Sequence, residues 1–179
     1  MDTQELTHQV KDKARSLGFS LVGVTHPEPP PHLEVYQHWL ALGRHGTMDY
    51  LARPDAVARR SDPRAILPEC QSILVLGIPY GNPQSQPPPT AEGPQGRVAA
   101  YAWGDDYHEL LKARLRALAD FIEEAAGRPV PNRWYTDTGP ILERELAQRA
   151  GLGWIGKNSM LINPEQGSYY LLAELLVGI

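Results

Sequence analysis

The chain has 179 residues, enough for one domain with a sizeable core, and its 42% hydrophobic and 21% charged content reads as soluble and globular. A formal net charge of −4 argues against a broadly basic nucleic-acid surface. No apolar run approaches the roughly 20 residues that span a bilayer, and the polar start "MDTQELTHQV" has no hydrophobic signal core, so a cytoplasmic protein without membrane contact is expected.

The apolar stripe Leu6, Val10, Ala14, Leu17 predicts a helix over residues 3–17, ended by Gly18. "FSLVGVT", 19–25, reads as a first strand, and "HPEPPP" breaks the chain. Pro31 opens a second predicted helix, with Leu33, Tyr36, Trp39 and Leu40 inward and Gly43 at its end. A capped turn at "GTMDYL" and a short helix over 54–60 follow.

Cys70 is the one cysteine, which excludes internal disulfides and any cysteine-ligated zinc or iron–sulfur centre built from this chain alone. Its place at the mouth of "SILVLGIPY", 72–80, suits a small buried residue. That run reads as a strand covered on both faces. The Pro- and Gly-rich residues 81–96 predict an extended loop, either a lid or a tolerated insertion. "RVAAYAW", 97–103, reads as a strand, and Asp106 with Glu109 caps a long helix that buries Leu110, Leu111, Leu115, Leu118 and Ile122 and stops at Gly127. "NRWYTD" is a short strand, 140–150 a helix, and "SMLIN" with "GSYYLLAELLV" a closing hairpin. The sum is an α+β fold, a mixed central sheet flanked by helices. The sequence stops at Ile179, inside or just after a very apolar strand, so a longer parent protein is expected.

Asp137 has two readings. Pro140 fits a first helical position, so the carboxylate two residues outside the cap can accept helix-start N–H groups. It also lies where a strand end meets a helix start, a common place for a proton-transferring group in sheet proteins. "GLGWIGKN", 151–158, has three glycines in six residues, which either end the helix and bend the chain or admit a ligand close to the backbone, with Lys157 on an anion. Arg53, Arg59, Arg60 and Arg64 either hold a phosphate or line a solvated helix face beside Asp55 and Asp62. In "DYHELL", 106–111, His108 belongs to a D-x-H start whose following glycine is replaced by Leu111, so a structural role is expected; no zinc pattern or serine triad is present.

"DTGPILERELAQRAGLGWIGKNSMLINPEQGSYYLLAELL" resembles the epoxyqueuosine reductases, with weaker agreement upstream in "RRSDPRAILPECQSILVLGIPY" and "AWGDDYHELL". The resemblance implies a nitroreductase/reductive-dehalogenase-like corrinoid-binding sandwich, with residues 1–179 as a single cobalamin-binding catalytic module. It implies reduction of epoxyqueuosine to queuosine at the wobble position of transfer RNA. A ferredoxin-like domain with two 4Fe-4S clusters would follow this chain, and the anticodon stem-loop would be the partner of a monomeric full-length enzyme.

By the same resemblance Asp137 is the proton donor to the opening epoxide oxygen. Arg60, Ala100, Leu161 and Leu172 match cofactor-facing positions, and Lys157 lies in the same motif. The isolated chain would then show little or no turnover. A non-catalytic corrinoid-binding module and a flavin-binding, nitroreductase-like oxidoreductase stand as alternatives.

Overall fold

The computed structural model describes residues 2–81, 96 and 98–179. The expected loop lies outside the described residues apart from its ends, Gly81 and Gly96. In chain order the helices are α1 (Thr3–Ser16), α2 (Leu33–Ala41), α3 (Pro54–Ser61), α4 (Tyr107–Ala126) and α5 (Glu143–Arg149). The strands are β1 (Leu21–Thr25), β2 (Ser72–Pro79), β3 (Asn132–Tyr135), β4 (Trp154–Ile155), β5 (Leu161–Ile162) and β6 (Tyr170–Val177). No described helix is long and apolar enough to cross a membrane.

Four strands form one sheet in the order β1-β2-β6-β3. All three pairings are antiparallel, so the α+β reading with flanking helices holds but the sheet is not mixed. Alternation along β2 explains the layering, because successive strand side chains face opposite ways. Leu74 and Leu76 meet α1 and α4 through Val10, Ala14, Phe19, Leu111, Leu115 and Leu118. Ile73 and Val75 meet Leu67, Ile141, Leu146, Leu152 and Leu161 on the other face. Cys70 is buried in this second layer, and burial pushes its thiol up, as its apolar context predicts.

Helix α4 starts as expected: the Asp106 carboxylate accepts the His108 N–H, and Gly127 ends the helix at φ 65°, a left-handed conformation that glycine adopts without Cβ strain. Its buried face is Leu111, Leu115, Leu118 and Ile122, whereas Leu110 is exposed at the edge of the stripe. Helix α2 buries none of its residues; Tyr36 and Trp39 are half-buried and line a groove instead.

Three further expectations change. Residues 100–102 form a 3-10 turn, not a strand; the turn sets Tyr101 edge-on to Tyr80 at 6.4 Å between ring centroids. The predicted helix over 140–150 begins only at Glu143, so Pro140 lies before the first turn, in an irregular segment. The closing hairpin is reduced to one bridge, Asn163 with Gly167. Strand β5 pairs with β4, and β6 takes a central place between β2 and β3, where its two apolar faces are both covered.

Candidate active site

The site forms where β3 ends beside the start of β6. Antiparallel register sets Tyr135 opposite Glu174, which brings the residues just past β3 alongside Leu172. The Thr136 hydroxyl donates to the Leu172 carbonyl at 3.0 Å and ties the strand end down. Next, the Thr138 N–H donates to the Thr136 carbonyl at 2.6 Å, closing a tight turn with Asp137 at its apex. Asp137 has φ 57°, a conformation uncommon for any residue with a Cβ. Strain of this kind costs on the order of 1–3 kcal/mol and persists only where the surroundings hold it.

Two bonds do so. The Asp137 N–H donates to Glu143 Oε1 at 2.8 Å, and the Tyr107 hydroxyl, from the first turn of α4, donates to Asp137 Oδ2 at 3.0 Å. His108 is stacked on Tyr107 with its Nε2 3.9 Å from the same carboxylate oxygen, while its Nδ1 lies 2.8 Å from Asp106. The helix-start account of Asp137 is therefore corrected. Helix α5 begins six residues later, and it is a side chain of that helix, not its free N–H groups, that meets the aspartate turn.

Asp137 is a ridge at which three depressions meet. A cleft of about 290 Å³ lies between it and Leu161, Leu171, Leu172, Met160 and Tyr170. A groove of about 520 Å³ runs from Asp137 to Arg53, Arg59 and Arg60. A third, about 590 Å³, passes Glu143 and Arg144 toward Tyr36 and Trp39. The Asp137 carboxylate is 67% exposed, so a ligand packed over the ridge would displace water from it.

Arg60 spans two of these grooves, its guanidinium carbon 5.8 Å from the centre of the Tyr36 ring. Leu161 is buried and Leu172 half-buried, and both line the cleft. Ala100, half-buried in its 3-10 turn, is not among the residues lining the cleft, and Lys157 is exposed on the turn between β4 and β5, also off it. Gly153, just before β4, allows close packing against β5: a Cβ there would lie 2.2 Å from the Ile162 carbonyl oxygen.

Sequence reasoning passed over Tyr107, Glu143 and Glu174. Burial raises the Tyr107 hydroxyl, and its bond to Asp137 adds to this, so it acts as a hydrogen-bond donor rather than a phenolate. Burial pushes Glu143 up to about 7; the charge of Asp137 also raises it, while the Asp137 N–H, Arg144 and Arg60 oppose the rise. Glu174 is fully buried within β6, and neither carboxyl oxygen has a partner among the described residues. Desolvation holds it well above the usual carboxylate range, reinforced by Glu143. The signal for Glu174 was present in the sequence as one charged residue in "YYLLAELLV".

The fold is an α+β sandwich that reductive dehalogenases also have. A catabolic reductive dehalogenase shares it at TM-score 0.52 and 18% identity, over 96% of this chain and 19% of its own. The family model described as epoxyqueuosine reductase QueG, DUF1730, matches residues 60–138. An epoxyqueuosine reductase of Vibrio cholerae is 41% identical over 180 aligned positions, covering 100% of this chain and 48% of that protein. The epoxyqueuosine reductase structure from Streptococcus thermophilus superposes at TM-score 0.86 with 28% identity, over 100% of this chain and 46% of that one. Another, solved with an epoxyqueuosine-modified tRNA-Tyr stem loop, superposes at 0.78 with 27% identity, over 99% and 46%. Over its whole length the chain is similar to epoxyqueuosine reductases, and it spans about half the length of the curated relatives it matches.

Proposed function

We propose that the chain is the cobalamin-binding catalytic module of an epoxyqueuosine reductase, which removes the epoxide oxygen of epoxyqueuosine in the wobble position of transfer RNA. The observation that carries this reading is Asp137. A strained turn holds its carboxylate at the meeting point of three grooves, bonded by Tyr107.

The residues fit a large flat cofactor. The cleft has an apolar wall in Leu161, Leu171, Leu172 and Met160, and the rings of Tyr107 and Tyr170 add aromatic surface. No three His, Cys, Asp or Glu side chains among the described residues converge on a common point, and a metal that arrives ligated in its own macrocycle asks for none. Leu161 and Leu172 would face the ring. Arg60 would meet a peripheral amide or phosphate with its forked donors, Lys157 would offer a cation at the cofactor edge, and the small Ala100 would let backbone meet the ring.

When bound, the corrinoid supplies the low-potential electrons for the reduction. The chain's own part is to seat the nucleoside, exclude water and move protons. Asp137 protonates the opening epoxide oxygen, which would otherwise leave as an alkoxide. Tyr107 fixes the carboxyl orientation, and Glu143 holds the turn through the backbone. Two 4Fe-4S clusters in a following domain would deliver the electrons, and the anticodon stem-loop would gain its remaining contacts from the rest of a monomeric, cytoplasmic enzyme.

A reconstitution tests the reading. The chain is mixed with corrinoid, a low-potential iron–sulfur protein and an epoxyqueuosine-bearing stem-loop, beside a full-length family enzyme as positive control. The expected result is loss of one oxygen mass from the nucleoside in the complete mixture, and little or none with chain and chemical reductant alone. No oxygen loss where the control turns over would contradict it.

A further inference from the structure

Removing an epoxide oxygen to leave an alkene breaks both C–O bonds, consumes two electrons and two protons, and releases water. The corrinoid and its low-potential donor supply the electrons in the function proposed above, on which this inference rests. One carboxyl group, Asp137, delivers one proton per turnover. The second proton needs a source.

Two carboxyl groups near Asp137 have no proton-transfer role in the steps above. On β6 the residues Tyr170 and Leu172 line the cleft, and Glu174 is the next residue inward on the same face, about 6.6 Å further at ~3.3 Å per residue. It is 0% exposed and unpartnered among the described residues. Glu143, the first residue of α5, lines the same cleft and touches the Asp137 turn. The charged groups acting on Glu143 are Asp137, the adjacent Arg144 and Arg60 from α3; Glu143 in turn acts on Glu174 of β6, and Tyr107 of α4 lines the same cleft.

We propose that Glu143 and Glu174 form a carboxyl pair that keeps one proton between them at neutral pH, and that Glu143 delivers it into the cleft as the second proton of the deoxygenation. Asp137 first converts the epoxide oxygen to a hydroxyl as one C–O bond breaks. Glu143 then protonates that hydroxyl as the second C–O bond breaks and water leaves. The pair passes from one shared proton to two carboxylates, and solvent restores the proton through the open cleft. Desolvation makes a doubly ionised pair unfavourable, so the proton is retained until a strong base is generated beside it. The elevated proton affinity of both groups agrees with this arrangement.

Carboxyl-labelled glutamate followed by NMR from pH 4 to 10 tests the pair in the chain itself. Two carboxyl groups should titrate above the ordinary range in coupled steps, and Glu143→Gln should lower the proton affinity of Glu174 at least tenfold. Both groups ionising independently in the ordinary range, or Glu174 unmoved by Glu143→Gln, would overturn the pair. Glu143→Gln separates proton delivery from support of the turn, because the amide oxygen still accepts the Asp137 N–H. In a mixture that turns over, it should lower kcat at least tenfold with corrinoid uptake unchanged; unchanged kcat would overturn the delivery role. Corrinoid uptake is read on the same samples. Its absence would sink the reductase reading, whereas ordinary titration with uptake intact would sink only the pair.

Discussion

Asp137→Asn is expected to lower epoxide turnover by a factor of about 10²–10⁴, the range general acid catalysis supplies, while corrinoid binding is retained. The substitution is nearly isosteric. The amide oxygen of asparagine still accepts the Tyr107 hydroxyl, and the backbone N–H at 137 still donates to Glu143, so the turn at φ 57° keeps both of its supports. Asparagine also tolerates the left-handed conformation. What disappears is the transferable proton. A non-catalytic corrinoid carrier would be indifferent to the change, so the ratio of turnover rates, measured at matched corrinoid occupancy, separates the two classes. Turnover within the normal range for the variant would remove Asp137 from the mechanism.

The second large effect is on stability against pH. Glu143 moves from an ordinary 4.5 to about 7 on folding, and Glu174 moves further in the same direction. The native state therefore binds more protons than the unfolded chain between these limits, and stability falls with rising pH. The contribution is present in full below about pH 4.5 and is lost as pH rises through 7 and beyond. The Glu143 displacement alone corresponds to about 3 kcal/mol, enough to lower Tm by several degrees in a chain of this size. Thermal unfolding between pH 5 and 9 should show this decline. Glu174→Gln should flatten it and be more stable than the unsubstituted chain at pH 9, because the amide cannot ionise in the core. A Tm that rises toward pH 9, or an identical slope in both chains, would contradict the buried-pair account.

Much of the fold could be read from local pattern because local physics decides it. The stop at Gly127, the cap at Asp106 and the two-faced apolar run of β2 each depend on neighbours within a few residues. The errors fall where long-range pairing decides. "SYYLLAELLV" reads as half of a hairpin with its sequence neighbour, yet its unbroken apolar character suits a central strand, and β2 and β3 claim it. "RVAAYAW" has strand-forming residues, yet residues 100–102 form a 3-10 turn that sets Tyr101 edge-on to Tyr80.

The site divides in the same way. Asp137, Leu161 and Leu172 follow from motif and strand position, and the structure sets all three on one cleft. Glu143 reads as an ordinary first-turn acidic residue, since only the antiparallel register of β3 and β6 reveals that α5 starts over the Asp137 turn. Tyr107 was overshadowed by His108, whose nearer partner proves to be the cap Asp106. Lys157 is exposed on the turn between β4 and β5, off the cleft, and of the glycines around it Gly153 and Gly156 pack closely against Ile162.

The most direct measurement is a titration of the chain with cobalamin, followed by the visible spectrum of the corrin and repeated with Leu172→Arg. Saturable uptake of one corrinoid per chain is expected, weakened at least tenfold when a charged side chain replaces the half-buried leucine on the cleft wall. No uptake, or uptake indifferent to Leu172→Arg, would contradict a corrinoid seated on the Leu161–Leu172 wall beneath Asp137.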